Sequence, residues 1–93
     1  MEDNNEIKIG NKDFIAYMRS IELCIRKQKK KKVILRARGL NIKKAVDLAE
    51  ASKNNFLKDM NIKIEDIKIS TSRFKDKENI ERNVSCIDIT LTI

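Results

Sequence analysis

The sequence predicts an α+β fold: a two-layer β-α-β-α-β-β sandwich, two helices on a four-stranded mixed sheet, with the last two strands protruding as a β-hairpin arm. Three observations predict it. Four segments alternate apolar and polar residues with period two, the mark of a half-buried strand, and two segments between them carry apolar residues at helical spacing. With no Pro, two Gly and no low-complexity linker, the 93 residues read as one domain spanning 1–93.

Ile7 and Ile9 alternate with Glu6 and Lys8 and stop at Gly10, a short first strand ending in a tight turn. From Asn11 to Lys27, Phe14, Ile15, Met18, Ile21, Leu23 and Ile25 recur at roughly helical spacing, with Tyr17 and Cys24 widening the stripe and Asn11 or Asp13 as cap. Lys29 to Lys32 form a basic loop. Val33, Leu35 and Ala37 then alternate with Ile34, Arg36 and Arg38 in a second strand that Gly39 terminates.

Asn41 is a good cap for a second helix running to about Met60, with Ile42, Ala45, Val46, Ala49 and Phe56 on one side and Asp47 and Glu50 facing outward. From Ile62 the period changes to two: Ile62 and Ile64, then Ile67 and Ile69, with the extra residue at Glu65 and Asp66 implying a bulge. That strand continues towards Phe74. Lys75 to Asn83 are polar and charged, and Ile87, Ile89, Leu91 and Ile93 alternate with Asp88, Thr90 and Thr92 in the final strand.

Composition narrows the function. Apolar residues make up 41% and charged residues 38%, so the core must be economical, and a partner could complete it. Against 14 Asp and Glu stand 21 Lys and Arg, and a net charge of +7 favours a polyanion such as nucleic acid or an acidic membrane surface. The apolar stretches are too short to span a bilayer, and the opening MEDNNEIK is acidic and polar rather than leader-like, which places the chain in the cytosol or on a nucleoid. Cys24 and Cys86 both lie in apolar patterns, suiting buried reduced thiols. With no His and two Cys, zinc ligation and a nucleophilic triad lack their usual side chains, and no glycine-rich phosphate loop is present. An enzyme is not expected, and nothing in the pattern asks for a cofactor.

Charge distribution is the strongest functional signal. Between Arg26 and Lys44 stand ten basic residues (Arg26, Lys27, Lys29, Lys30, Lys31, Lys32, Arg36, Arg38, Lys43 and Lys44) and no acid, while the rest of the chain nets minus three. Solubility needs dispersed charge, so a single-sign run is a candidate phosphate-binding surface. Strand alternation sends Arg36 and Arg38 to one side, and the free N–H groups opening the next helix, with Lys43 and Lys44, favour an anion. The hairpin tip offers a second patch, Arg73, Lys75, Lys77 and Arg82, diluted by Asp76, Glu78 and Glu81. Of the aromatics, Phe14, Tyr17 and Phe56 fall on helices and only Phe74 is near the arm, so core packing is their expected fate and base-stacking platforms are poorly represented.

The segment LRARGLNIKKAVDLAE, Leu35 to Glu50, resembles the signature of the Alba family, in which a strand ending in A-R-G leads into an I-x-K-A-V-D helix. IGNKDFIAYM (Ile9 to Met18), NNFL (Asn54 to Leu57) and the closing I-D-I-T-L strand extend the likeness across nearly the whole chain. The resemblance implies a homodimer whose basic body binds double-stranded DNA with little sequence preference while two arms straddle the duplex, and whose family members also bind RNA. It implies phosphate contacts at Lys12 and Arg38, support from Lys44, Asn41 at the helix entrance, and Arg73, Lys75, Lys77 and Arg82 on the arms. Phe56 matches an aromatic used where neighbouring dimers meet.

The family's common G-K-K-P turn is Gly10-Asn11-Lys12-Asp13 in this chain, so Lys12 is the residue the resemblance implies for acetylation, which would erase a cation. A-R-G-R is here A-R-G-L, with Leu40 in place of a cation. These departures imply an affinity below that of a dedicated DNA-compacting relative. Two other readings stay open: an RNA-binding ribonucleoprotein subunit or chaperone, and a protein-interaction module that meets an acidic partner through the basic loop.

Overall fold

A computed structural model describes residues 5–93; Met1 to Asn4, the start of the acidic opening, lie outside the described residues. The chain runs β1 (Glu6–Ile9), α1 (Phe14–Glu22), β2 (Lys32–Arg38), α2 (Ile42–Ala51), β3 (Lys63–Lys75) and β4 (Glu81–Thr92). The sheet order is β1-β2-β4-β3, with β1 parallel to β2 and both other pairs antiparallel, so the sheet is mixed as predicted. Both helices lie on one face. Burial along β2 alternates strictly, with Val33, Leu35 and Ala37 inside and Lys32, Arg36 and Arg38 outside, which leaves the other face open.

Helix α1 buries Tyr17 and Ile21, and a wider turn over Leu23–Lys27 adds Ile25, a strict four-residue spacing. Ile15 and Leu23, predicted in the stripe, sit two positions off that spacing and are exposed. Helix α2 buries Ala45, Leu48 and Ala49, and the turn after it buries Ser52, whose Oγ donates to the Leu48 carbonyl at 2.7 Å. Val46 therefore points outward, and Leu48 and Leu57 fill the core positions that the sequence pattern did not single out. The predicted helix end near Met60 also changes. Regular α-helix stops at Ala51, and Ser52–Phe56 and Lys58–Met60 follow as separate turns.

Neither predicted cap acts through its side chain. The Asp13 carbonyl accepts from the N–H of Ala16 and Tyr17 at 3.0 and 3.4 Å, without a side-chain cap bond. Asn41 is already helical, because a turn over Gly39–Asn41 precedes α2. Gly39 opens that turn at φ 58, and a Cβ there would lie 3.3 Å from Val84 Cγ2, so only glycine enters it without strain.

The register of β3 on β4 slips between Ile64 and Asp66, the bulge expected at Glu65. β2 ends at the pair Arg38↔Cys86, whereas β3 and β4 stay paired from Thr71↔Ser85 through Lys75↔Glu81. Those pairs carry the hairpin roughly 17 Å past its neighbour at about 3.4 Å per residue. The radius of gyration, 14.3 Å, exceeds the roughly 12 Å of a compact chain of this length. The strands reach further than the predicted Lys75 to Asn83 loop, leaving only Asp76 to Ile80 as the tip. With both faces in solvent, no apolar alternation marks that part of the ladder. For the same reason Ile67 and Ile69, which share the helix side of the sheet, lie on an edge strand beyond the helices and are exposed.

Cys24 in the helical layer and Cys86 on the open face are both free and half-buried, less enclosed than predicted, and the sheet separates them. Burial pushes the Cys24 thiol pKa up, against the opposing pull of Lys30. No helix among the described residues is long and apolar enough to cross a membrane.

Candidate nucleic-acid interface

Parallel pairing of β1 with β2 sets Lys8 beside Arg36 and brings two chain turns together where both strands end. Between them lies a cleft of about 500 Å³ lined by Lys8, Ile9, Gly10, Tyr17, Arg36, Ala37, Arg38 and Asn41. One wall is the turn carrying Lys12. Tyr17 Oη accepts from the N–H of Gly10 at 2.6 Å and of Lys12 at 3.2 Å, so the buried ring fixes two donors of that turn, on either side of Asn11. Lys44 Nζ donates to the carbonyls of the same two residues at 2.7 and 3.1 Å and stands 5.6 Å from the Tyr17 ring centroid. Lys44, expected beside the phosphates, is thus a clamp from α2 onto the turn. The Lys12 side chain stays exposed, with no ion pair among the described residues, and so do Lys8 and Arg38.

Arg36 differs from Arg38 although both project from the open face. Its Nε donates to Asp88 Oδ1 at 2.9 Å, and its Nη2 lies 3.4 Å from Asp88 Oδ2 and 3.2 Å from Glu6 Oε2. Two carboxylates on one guanidinium offset its charge, so it braces β1, β2 and β4 rather than adding positive potential. Lys43 pairs with Asp47 one turn on at 2.7 Å. That pair is exposed and worth only about 0.3–0.5 kcal/mol, so a phosphate can displace the aspartate.

The basic run from Arg26 to Lys44 does not form one patch. Arg26 is drawn inward, with Nη2 2.7 Å from Asp59 Oδ1 and 3.3 Å from the Phe56 carbonyl, and Nε 3.1 Å from Glu22. This guanidinium holds the Asp59 carboxyl below its ordinary pKa. Lys29, Lys30 and Lys31 occupy the loop entering β2, with Lys29 in the left-handed region, and Lys32 lies 3.6 Å from Glu65. The seven residues of β2 put roughly 20 Å between this loop and Arg38. Phe56 is half-buried against the core, beyond the end of α2 remote from the cleft.

The arm has two chemically different faces. Register places Arg73 opposite Asn83 and Lys75 opposite Glu81 on one face, and Phe74 opposite Arg82 on the other, the face shared with Arg38 and Cys86. Arg82 Nε donates to Asp76 Oδ2 at 2.8 Å. Together with the N–H groups of Ile80 and Glu78, it keeps the Asp76 carboxyl pKa low. The four arm cations therefore do not act as a group: Arg82 is tied down, while Arg73, Lys75 and Lys77 stay exposed with no ion pair among the described residues. Lys8 is the cleft residue that sequence reasoning missed. Its only signal was its polar place in a four-residue strand, and the neighbour that gives it meaning, Arg36, is 28 positions away.

Comparison with known proteins follows the same lines. A protein-family model described as Alba matches residues 5–71. The DNA/RNA-binding protein Alba of Picrophilus torridus is 34% identical over 92 residues, 99% of each chain. The DNA/RNA-binding protein Alba 1 of Archaeoglobus fulgidus is 39% identical over 87 residues, 94% of this chain and 93% of that one. Among solved structures, Alba from Thermoplasma volcanium superposes with a TM-score of 0.84 at 34% identity, covering 96% of this chain and 100% of that one.

Proposed function

The chain belongs to the Alba family, and from that premise we propose that it is a non-catalytic nucleic-acid-binding protein that grips double-stranded DNA through backbone phosphates, with RNA as a second ligand. The observation that carries this reading is the set of exposed cations without an ion pair among the described residues, Lys8 and Arg38 lining a cleft and Lys12 on the turn that walls it, with that turn pinned by Tyr17 and Lys44. Cations without counter-charges among the described residues are available to phosphates at little reorganisation cost. Lys43 and the arm residues Arg73, Lys75 and Lys77 extend the contact, Asn41 lines the cleft, and Arg36 and Arg82 contribute by holding the frame. Lys29 to Lys32 form a secondary patch.

The active form in this reading is a homodimer, residues 1–93 serve as one binding domain, and the protein resides on the chromosome or nucleoid. Exposed Leu40, Val46, Ile67 and Ile69 support a second copy, as does the groove of about 400 Å³ that Ile42 and Ile69 border. Lys12 remains the candidate for acetylation and Phe56 for contacts between dimers. The loss of cations at Asn11 and Leu40 supports an affinity below that of dedicated DNA-compacting relatives.

Titration of a short duplex at increasing salt tests this. Neutralising roughly four to six phosphates gives a log-log slope of about −4 to −5. A slope near zero contradicts the reading. Competition with a matched RNA duplex ranks the two ligands.

A further inference from the structure

We infer that the Phe74 face of the arm is a nucleobase-binding site, which takes a base that is unpaired or pried out of its stack. The inference rests on the nucleic-acid reading above and names the part of the ligand this face recognises.

Phe74 and Ile80 are each 47% exposed on a two-stranded extension with no third layer to bury them. A rigid scaffold presents them. Asp76 pairs with Ile80 through the bond from Asp76 N–H to the Ile80 carbonyl at 3.0 Å, which puts Phe74, Asp76, Ile80 and Arg82 on one face. Asp76 then closes the turn: Oδ1 accepts from the N–H of Glu78 at 2.9 Å and of Ile80 at 3.0 Å, while its carbonyl accepts from Asn79 at 2.9 Å. Asn79 takes the left-handed conformation this turn requires. With Arg82 held on Asp76, the residue opposite Phe74 is fixed at its own anchor.

The surroundings select the ligand. Arg73 and Lys75 on the reverse face and Lys77 at the tip are exposed and free of ion pairs among the described residues, so the narrow arm that carries Phe74 also carries three cations for a polyanion lying along it. Two apolar side chains are far too small an area for a protein interface. They match one ring, and a planar ring carried on a polyanion satisfies both the apolar face and the cations. Inserting Phe or Ile side chains against bases from a narrow arm is a known device of groove-binding proteins, and the cost is least where the base is already unstacked.

The test uses the full chain and two short DNA duplexes that differ only in one extrahelical adenine. Stacking on one base corresponds to a roughly 5- to 150-fold preference for the bulged duplex. Phe74→Ala should erase most of that preference while changing matched-duplex affinity far less, and Phe74→Trp should restore it. With 2-aminopurine at the bulge, the wild type should change its fluorescence and Phe74→Ala should not. Equal affinity of the wild type for both duplexes overturns the inference, as does an equal loss on both in Phe74→Ala. Binding to neither duplex overturns it together with the nucleic-acid reading beneath it, so the two failures read differently.

Discussion

At one end of β2, Lys29 to Lys32 crowd a loop in which one residue is left-handed and one approaches Glu65. At the other, Lys8 and Arg38 line a cleft and Lys12 stands on the turn that walls it, which Tyr17 and Lys44 brace. Charge density along the sequence favours the first end, and spatial organisation favours the second. On the proposed reading, a place in a braced, open frame counts for more than the number of cations in a run, and a cation counts only where no acid offsets it. Arg36 and Arg38 make the point two residues apart: one lies between Glu6 and Asp88, and the other has no acid beside it among the described residues.

Breaking the brace should have the largest effect. Lys44→Met removes the cation that bridges two turn carbonyls, each such charge-assisted bond being worth about 1.5–3 kcal/mol before solvent screening. Differential scanning calorimetry should show Tm falling by roughly 5–10 °C, the consequence of about 1–2 kcal/mol in a domain of this size. Duplex affinity should fall with it. Arg38→Gln should leave Tm nearly unchanged, weaken duplex binding by about tenfold per site and flatten the salt slope by about one. Unchanged binding in a fluorescence titration would remove Arg38 from the interface.

A smaller effect sharpens the contrast between the two arginines. Asp88→Asn keeps the shape of the carboxylate and removes its charge, leaving Glu6 as the carboxylate on Arg36. One extra unit of positive charge at roughly 10 Å is worth about 0.4 kcal/mol in water, so affinity should rise by about twofold. A fall in affinity would mean that the Arg36 frame matters more than its charge. Least affected should be Lys29→Gln, Lys30→Gln and Lys31→Gln together. At roughly 20 Å from the cleft and a screening length of about 10 Å, these lysines contribute little to a site at the other end. A change under about twofold on a short duplex is the expected result.

The element order, the bulge at Glu65 and the turn at Gly39 were legible because each depends on neighbours in sequence: a change of period, an extra residue, a glycine ahead of a helix. The arm was legible too, though not its length, since a ladder exposed on both faces leaves no apolar mark. The site was legible only in part. Arg38 stood out, but the acids that occupy Arg36, the Asp59 that draws Arg26 inward and the parallel pairing that sets Lys8 at the cleft all come from distant segments. Lys44 was found as a supporting cation, but nothing local announces that its partners are the carbonyls of Gly10 and Lys12.

The claim that the cleft end rather than the lysine loop meets nucleic acid is tested most directly by NMR. Amide shifts of the labelled full chain are followed as a short DNA duplex is added. The account predicts the largest changes at Lys8, Gly10, Lys12, Arg38 and Gly39, smaller ones along Arg73 to Lys77, and little at Lys29 to Lys31. Large shifts confined to Lys29 to Lys32, with the cleft residues still, would contradict it.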